Sequence, residues 1–209
     1  MAVEEVLPVA KDTFMRSNRQ NRNSGASELL YVAHRSTVRT LISFDLSGVS
    51  NKIEQAELRI VMGPSEAKKP ITLVVAPMVS TANNANWGEG RGTLGALGAV
   101  AMEGEACYLR SAYPAVSWED ASERALRSLG EGKLWGAPIA TLSGVKWESG
   151  KTLIIAIPSA LPEAARKGNP AIVTFGLWGT GGNGQYAIFS KESGSPPELV
   201  LTEKAGDKK

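Results

Sequence analysis

The stretch Val38-Arg39-Thr40-Leu41-Ile42-Ser43-Phe44-Asp45-Leu46 decides the fold class. In an extended chain successive side chains point to opposite sides, so Val38, Thr40, Ile42, Phe44 and Leu46 share one apolar face. Residues 55–62 repeat the pattern, with Ala56, Leu58, Ile60 and Met62 on one side and Glu57 and Arg59 on the other. Working outward, segments of the same kind stand at 6–15, 29–33, 71–79, 152–157, 171–178, 185–190 and 198–202, separated by Gly, Pro, Ser and Asn. About ten short strands with turn-rich connections predict an all-β sandwich of the jelly-roll kind, in preference to a parallel α/β sheet. The chain shows no internal repeat. One domain is expected over 6–203, with flexible ends at 1–5 and 204–209.

Two short helices are expected in the connections. In 118–129, Trp118, Ala121, Ala125 and Leu129 fall on one face behind Ser117 as cap, and Gly130 ends the run. The second, at 159–167, carries Pro162 in its first turn, where a missing N–H costs little. Between them and the early strands lies a long Gly/Ala-rich stretch, 82–106. A connection of that length is uncommon in a compact domain unless it serves a function.

Of the 209 residues 43% are hydrophobic and 21% charged, enough apolar material for a core and too little charge for a disordered chain. One cysteine (Cys107) and one histidine (His34) exclude an internal disulfide, a zinc finger and a multi-histidine metal site. A Ser-His-Asp triad would have to use His34, which sits in no nucleophile-elbow motif. A net charge of +2 gives no reason to expect a nucleic-acid partner. No segment reaches the roughly 18 apolar residues of a membrane span. The start, Met1-Ala2-Val3-Glu4-Glu5, lacks the basic and apolar regions of a signal peptide, which fits an intracellular protein or a trimmed mature domain equally.

The near-neutral total hides a local imbalance. Residues 15–40 hold five arginines (Arg16, Arg19, Arg22, Arg35, Arg39) against Glu28, a balance of +4. Arginine presents a planar donor fork that fits carboxylate or sulfate oxygens at two points, so a chain of acidic sugars suits such a row. Equally, these arginines can be solvated or paired with acids elsewhere. Sugar C–H faces stack on aromatic rings, which makes Trp87, Tyr108, Tyr113, Trp178 and Tyr186 ligand candidates. The loop Trp178-Gly179-Thr180-Gly181-Gly182-Asn183-Gly184-Gln185-Tyr186 adds Asn183 as a hydroxyl partner, and its glycines permit close approach. It lacks the Lys-Ser/Thr of a phosphate cradle. Arg91 and Lys191 complete the candidate set. Trp178 also fits a core position, and Trp118, Trp135 and Trp147 read as packing residues. Asp45 is expected to accept N–H groups of the following turn or to pair with Arg39 or Arg59, and Glu57 to pair with an arginine on the outer face.

The order of motifs resembles the DNRLRE-type bacterial and archaeal jelly-roll domain, a group that includes alginate-binding carbohydrate modules. The likeness runs through Asp12-Thr13-Phe14, Asn23-Ser24-Gly25, Leu29 to Val32, Arg39 with Phe44-Asp45-Leu46-Ser47, and Ala56-Glu57-Leu58. It continues in Trp87-Gly88-Glu89-Gly90, Gly104-Glu105-Ala106, Tyr113-Pro114, Phe189-Ser190-Lys191-Glu192 and Pro197-Glu198-Leu199. Cys107 stands where an aromatic is commoner, and Ile155-Ala156-Ile157-Pro158 replaces an acidic-Thr strand. The resemblance implies a non-catalytic module that binds a polysaccharide, anionic by the arginine row. It implies a secreted or cell-surface setting, with catalytic domains attached in a larger protein. It requires no cofactor but permits a structural calcium, for which Asp12 at a strand start is the candidate ligand; no EF-hand loop is present.

Two other readings stand beside it. One is an adhesion or spacer sandwich without a sugar site, marked by an apolar patch and no aromatic groove. The other is a polysaccharide lyase, in which Tyr31, His34, Arg35 and Arg39 would supply base and carboxylate neutralisation if Tyr31 and Arg39 met on one sheet face.

Overall fold

The structure, a computed structural model, describes residues 2–33, 38–66, 69–93, 97–118, 134–181 and 184–204. The strands in chain order begin with β1 (Ala2–Pro8), β2 (Lys11–Arg16), β3 (Arg22–Asn23), β4 (Leu29–Ala33) and β5 (Val38–Asp45). Next come β6 (Ile53–Ser65), β7 (Ile71–Pro77), the short helix α1 (Ala82–Ala85), β8 (Ala99–Val100), β9 (Arg110–Ala112) and β10 (Val116–Ser117). The chain closes with β11 (Ala140–Val145), β12 (Thr152–Ile157), α2 (Ala160–Ala165), β13 (Ile172–Thr180), β14 (Tyr186–Phe189) and β15 (Glu198–Lys204).

Two antiparallel sheets make the sandwich. The six-stranded sheet runs β1-β15-β6-β14-β4, with β12 also on β6; the five-stranded sheet runs β11-β7-β13-β5-β2. Their facing sides bury Leu30, Val32, Leu58, Ile60, Ile188, Leu199 and Leu201 from the first sheet. Ile42, Phe44, Leu73, Val75, Phe175 and Leu177 come from the second. The all-β sandwich expected from the alternation is the fold that forms.

The deciding stretch behaves as read on one side and differently on the other. Val38, Ile42, Phe44 and Leu46 do enter the inter-sheet core. Yet every residue of β5 except Asp45 is buried, because the outer face of the five-stranded sheet carries a second core. There Met15, Leu41, Val74, Ala76 and Trp178 of the sheet pack against Met78, Trp87, Ala106, Tyr108, Trp118, Leu134 and Trp135. The long excursion between β7 and β11 supplies that cover. Under it the hydroxyls of Ser43 and Thr174 share a short hydrogen bond, and Arg39 lies over the Trp178 ring at 4.6 Å.

Several boundaries differ from expectation. The expected strand 6–15 is two strands broken at Val9-Ala10, and residues 2–5 belong to β1, where Ala2–Pro8 pairs with Lys204–Glu198. Ladder pairing with β15 fixes a terminus whose composition reads as loose. Strand β11 was not foreseen; Ala140–Val145 holds Thr, Ser and Gly and pairs only with β7 at the sheet edge, so burial imposes no clean alternation. The helix expected at 159–167 forms as α2. The helix expected at 118–129 lies outside the described residues beyond Trp118, as do His34, Arg35, Asn183 and residues 205–209. Instead α1 forms within the stretch 82–106, capped by the Thr81 hydroxyl, which accepts from the Asn84 N–H. Of the partners open to it the Asp45 carboxylate takes the turn, accepting the Ser47 N–H at 2.8 Å, and Glu57 pairs with Arg59 at 3.3 Å as expected.

Candidate functional site

An open groove of about 520 Å³ lies between two walls. The first wall is the turn after β2, Ser17-Asn18-Arg19-Gln20-Asn21-Arg22. The second is Cys107 with the β9 hairpin residues Leu109, Arg110, Tyr113 and Pro114. Successive turn bonds, Arg19 N–H to Arg16 O at 3.1 Å and Arg22 N–H to Arg19 O at 3.0 Å, shape the first wall. The Ala101 N–H donates to Asn21 O at 2.8 Å and ties it down to the strand pair β3–β8. In the second wall Cys107 and Arg110 exchange backbone bonds at 2.8 and 3.1 Å. The Cys107 thiol is buried, and burial pushes its pKa up.

Among the described residues three arginines line this groove and no acid does. Arg19 is exposed. Arg22 spends one donor on Gly98 O at 3.1 Å, and Arg110 gives Nε to Pro114 O at 3.2 Å and Nη1 to Leu109 O at 3.1 Å. These bonds orient the guanidinium groups without neutralising them. Asn18, Gln20, Asn21 and Ser17 add amides and a hydroxyl, and Tyr113 is half-buried beside them. A fourth cation stands nearby: Arg16, with Arg19, Arg22 and Ser24, borders a small neighbouring void. Only 6% of Arg16 is exposed, its guanidinium lies 5.5 Å from the Tyr31 ring centre and 5.6 Å from that of Phe14, and its Nε and Nη2 have no hydrogen-bond partner among the described residues. A buried cation with no ion pair among the described residues raises the positive potential around it.

Glu105 holds the two walls in place. Its carboxylate accepts from Arg91 Nε at 2.8 Å, Met102 N–H at 2.9 Å and Asn23 Nδ2 at 3.1 Å, while its carbonyl accepts the Tyr113 N–H at 2.8 Å. Burial alone would raise the Glu105 pKa; the three hydrogen bonds outweigh it and hold the group below the usual carboxylate range.

The candidates named from sequence separate into groups. Arg19 and Arg22 meet in the groove, with Arg16 beside it. Arg39 is buried in the second core over Trp178. Arg91 is engaged by Glu105 and Lys191 by Glu89. The aromatic candidates Trp87, Tyr108, Trp178 and Tyr186 are each no more than 2% exposed and present no ring face to a sugar. The first three are covered by the excursion over the five-stranded sheet, and Tyr186 is held in the inter-sheet core with its hydroxyl on Lys69 O at 2.6 Å. Tyr31 packs edge-on against Phe14 toward the inter-sheet core whereas Arg39 lies in the outer cluster, so the face shared by the two that a lyase site requires is not formed. Arg110 was missed: it stands alone in sequence, far from the arginine row, and no local signal marks it.

Asp12 lies in a separate charge cluster, fully buried. Its Oδ2 accepts the Lys191 N–H at 2.6 Å, its own N–H donates to Glu89 Oε1 at 2.7 Å, and its Oδ1 has no partner among the described residues. The Lys191 ammonium donates to Glu89 Oε2 and lies 3.7 Å from Glu192 Oε1. Calcium takes six to eight oxygens. Here an ammonium already stands among the carboxylates, and no group of three or more metal-binding side chains exists among the described residues. The residues around Asp12 therefore do not fit a calcium ion.

Burial pushes the Asp12 carboxyl up from its ordinary 3.8 to about 8, against the lowering effect of the Lys191 N–H. An acid with a raised folded-state pKa stabilises the fold below its unfolded pKa, and that contribution is lost as pH rises toward the folded value. Asp12→Asn cannot titrate, so its Tm relative to the natural protein is expected to improve by roughly 5–10 °C between about pH 4 and pH 8. Thermal unfolding of both proteins across that window is the measurement; a difference that stays constant with pH contradicts it.

No curated protein matches the chain in a sequence search. The described residues contain no helix long and apolar enough to cross a membrane. The first part of the chain, from β1 through α1 and the loop after it, contains the first wall of the groove but not the second. Residues 4–96 match the model of carbohydrate-binding module family 96, and this match, together with the β-sandwich, supports a carbohydrate-binding module.

Proposed function

We propose that the groove between Ser17–Arg22 and Cys107–Pro114 binds an acidic polysaccharide. Arg19, Arg22 and Arg110 take carboxylate or sulfate groups, Asn18, Gln20 and Asn21 bond sugar hydroxyls, and Tyr113 offers a ring to a sugar face. One observation carries the reading: cations from two distant segments converge on a single groove whose lining, among the described residues, holds no acid. Arginine forks suit planar carboxylates, and the open groove keeps desolvation modest. Its walls are tied by backbone bonds and by Glu105, so little ordering entropy is lost on binding. In this proposal the module acts outside the cell, beside polysaccharide-processing domains of a larger protein, and has no catalytic role of its own.

Affinity electrophoresis through gels containing acidic or neutral glycans tests the reading. Retardation is expected with uronate or sulfated polymers and is expected to weaken as salt is added. Retardation by neutral glycans alone, or by none, overturns it.

A further inference from the structure

We infer that the Lys191 ammonium does in this chain the work of a bound divalent cation, tying three segments together through oxygens that a hard metal ion would otherwise take. The inference is independent of the glycan reading.

Three parts of the chain that are far apart in sequence meet here. They are the corner between β1 and β2 (Ala10, Asp12), the loop after α1 (Trp87, Glu89), and the turn after β14 (Lys191, Glu192). The ammonium donates to Glu89 Oε2, lies 3.5 Å from Ala10 O and 3.7 Å from Glu192 Oε1, and sits on the residue whose backbone N–H serves Asp12 at 2.6 Å. Carboxylates and a carbonyl arriving from separate loops are the donor types a calcium ion gathers. An ammonium offers three N–H donors and a single charge to the same oxygens. Both cannot occupy the space between Glu89 and Glu192, since like charges at that separation repel strongly in a partly buried setting.

Charge and burial agree with a site completed from within. Lys11 donates Nζ to Trp87 O at 2.8 Å and lies over the Trp87 ring at 4.9 Å, so it anchors the same loop from its other side. Burial keeps Asp12 largely protonated at neutral pH. Glu89 and Glu192 are then balanced by Lys11 and Lys191, and no net negative charge remains to recruit a metal. Burial alone would lower the Lys191 pKa, but Glu89 outweighs that and holds it above its ordinary value, so the ammonium stays charged.

The test compares thermal unfolding in chelator and in millimolar calcium, with calorimetric titration of calcium into the natural protein. The natural protein is expected to show equal Tm in both buffers and no saturable heat. Lys191→Met is expected to unfold about 5 °C or more lower in chelator and to recover part of that loss in calcium, because the freed carboxylates now face one another. Lys191→Gln, which keeps a polar side chain and adds a carbonyl oxygen, is the second variant, with the same expectation if the methionine variant does not fold. Saturable calcium binding by the natural protein overturns the inference. So does a variant as stable as the natural protein, or a loss that calcium does not restore, which would leave Lys191 an ordinary ion-pair partner.

Discussion

Replacing Arg19, Arg22 and Arg110 together with alanine is expected to lower affinity for an acidic glycan by roughly a hundredfold or more. A charge-assisted hydrogen bond contributes about 1.5–3 kcal/mol when well buried. In an open groove each contact is discounted to about 1 kcal/mol, so three give about 3 kcal/mol, or two orders of magnitude in Kd. The geometry favours a loss confined to binding. Within the described residues Arg19 makes no side-chain bond, and Arg22 and Arg110 bond only to backbone carbonyls, of Gly98, Leu109 and Pro114. The charge-matched control replaces the exposed Lys52, Lys146 and Lys151, which lie outside the groove. Electrophoretic affinity at two salt concentrations separates the cases. Equal losses in both triple variants would mean that net charge, not the groove, attracts the glycan.

Gly25→Ala and Gly88→Ala are each expected to cost about 3 kcal/mol or more of stability, through backbone and not side-chain collisions. A Cβ on Gly25 would stand 2.1 Å from Gly90 O and 2.6 Å from Gly90 N; one on Gly88 would stand 1.9 Å from Gly104 O. Neither neighbour can yield easily. Gly90 is pressed by the Asn23 side chain, whose amide is bonded to Glu105, and Gly104 donates its N–H to Tyr113 O at 2.8 Å. The expected drop in Tm is about 10 °C for a chain of this size. Gly48→Ala, with nothing within 4 Å of its Cβ, is the control and should leave Tm unchanged. Calorimetry or far-ultraviolet melting decides. A near-natural Tm for both variants would mean that the crossing of residues 23–25 by the 88–104 segment is looser than described.

These glycines show why the sequence motifs were legible but their meaning was not. Asp12-Thr13-Phe14, Trp87-Gly88-Glu89-Gly90 and Phe189-Ser190-Lys191-Glu192 are recognisable as short strings, and they converge on one charge cluster, through Asp12, Glu89 and Lys191. Asn23-Ser24-Gly25 and Gly104-Glu105-Ala106 converge on another, through Asn23 and Glu105. They fasten loops and do not line the groove. A motif reports that residues must stay together and cannot by itself say whether a ligand or another loop is what they meet.

By itself the sequence determined the sandwich, because alternation with a period of two leaves an extended chain only one way to bury its apolar face. It also determined the arginine row and the pairing of Glu57 within its strand, and it narrowed Asp45 to the turn N–H groups or an arginine, of which the structure takes the turn. Tertiary structure alone decided which candidates face solvent. The excursion between β7 and β11 folds over the outer side of the five-stranded sheet and turns Trp87, Tyr108, Trp178 and Arg39 into interior residues. The same excursion delivers Arg110 and Tyr113 to the second wall of the groove, opposite Arg19 and Arg22. Strand periodicity is a local property and can be read from one segment. Which face a distant loop will cover is a matter of long-range packing, and no single segment records it.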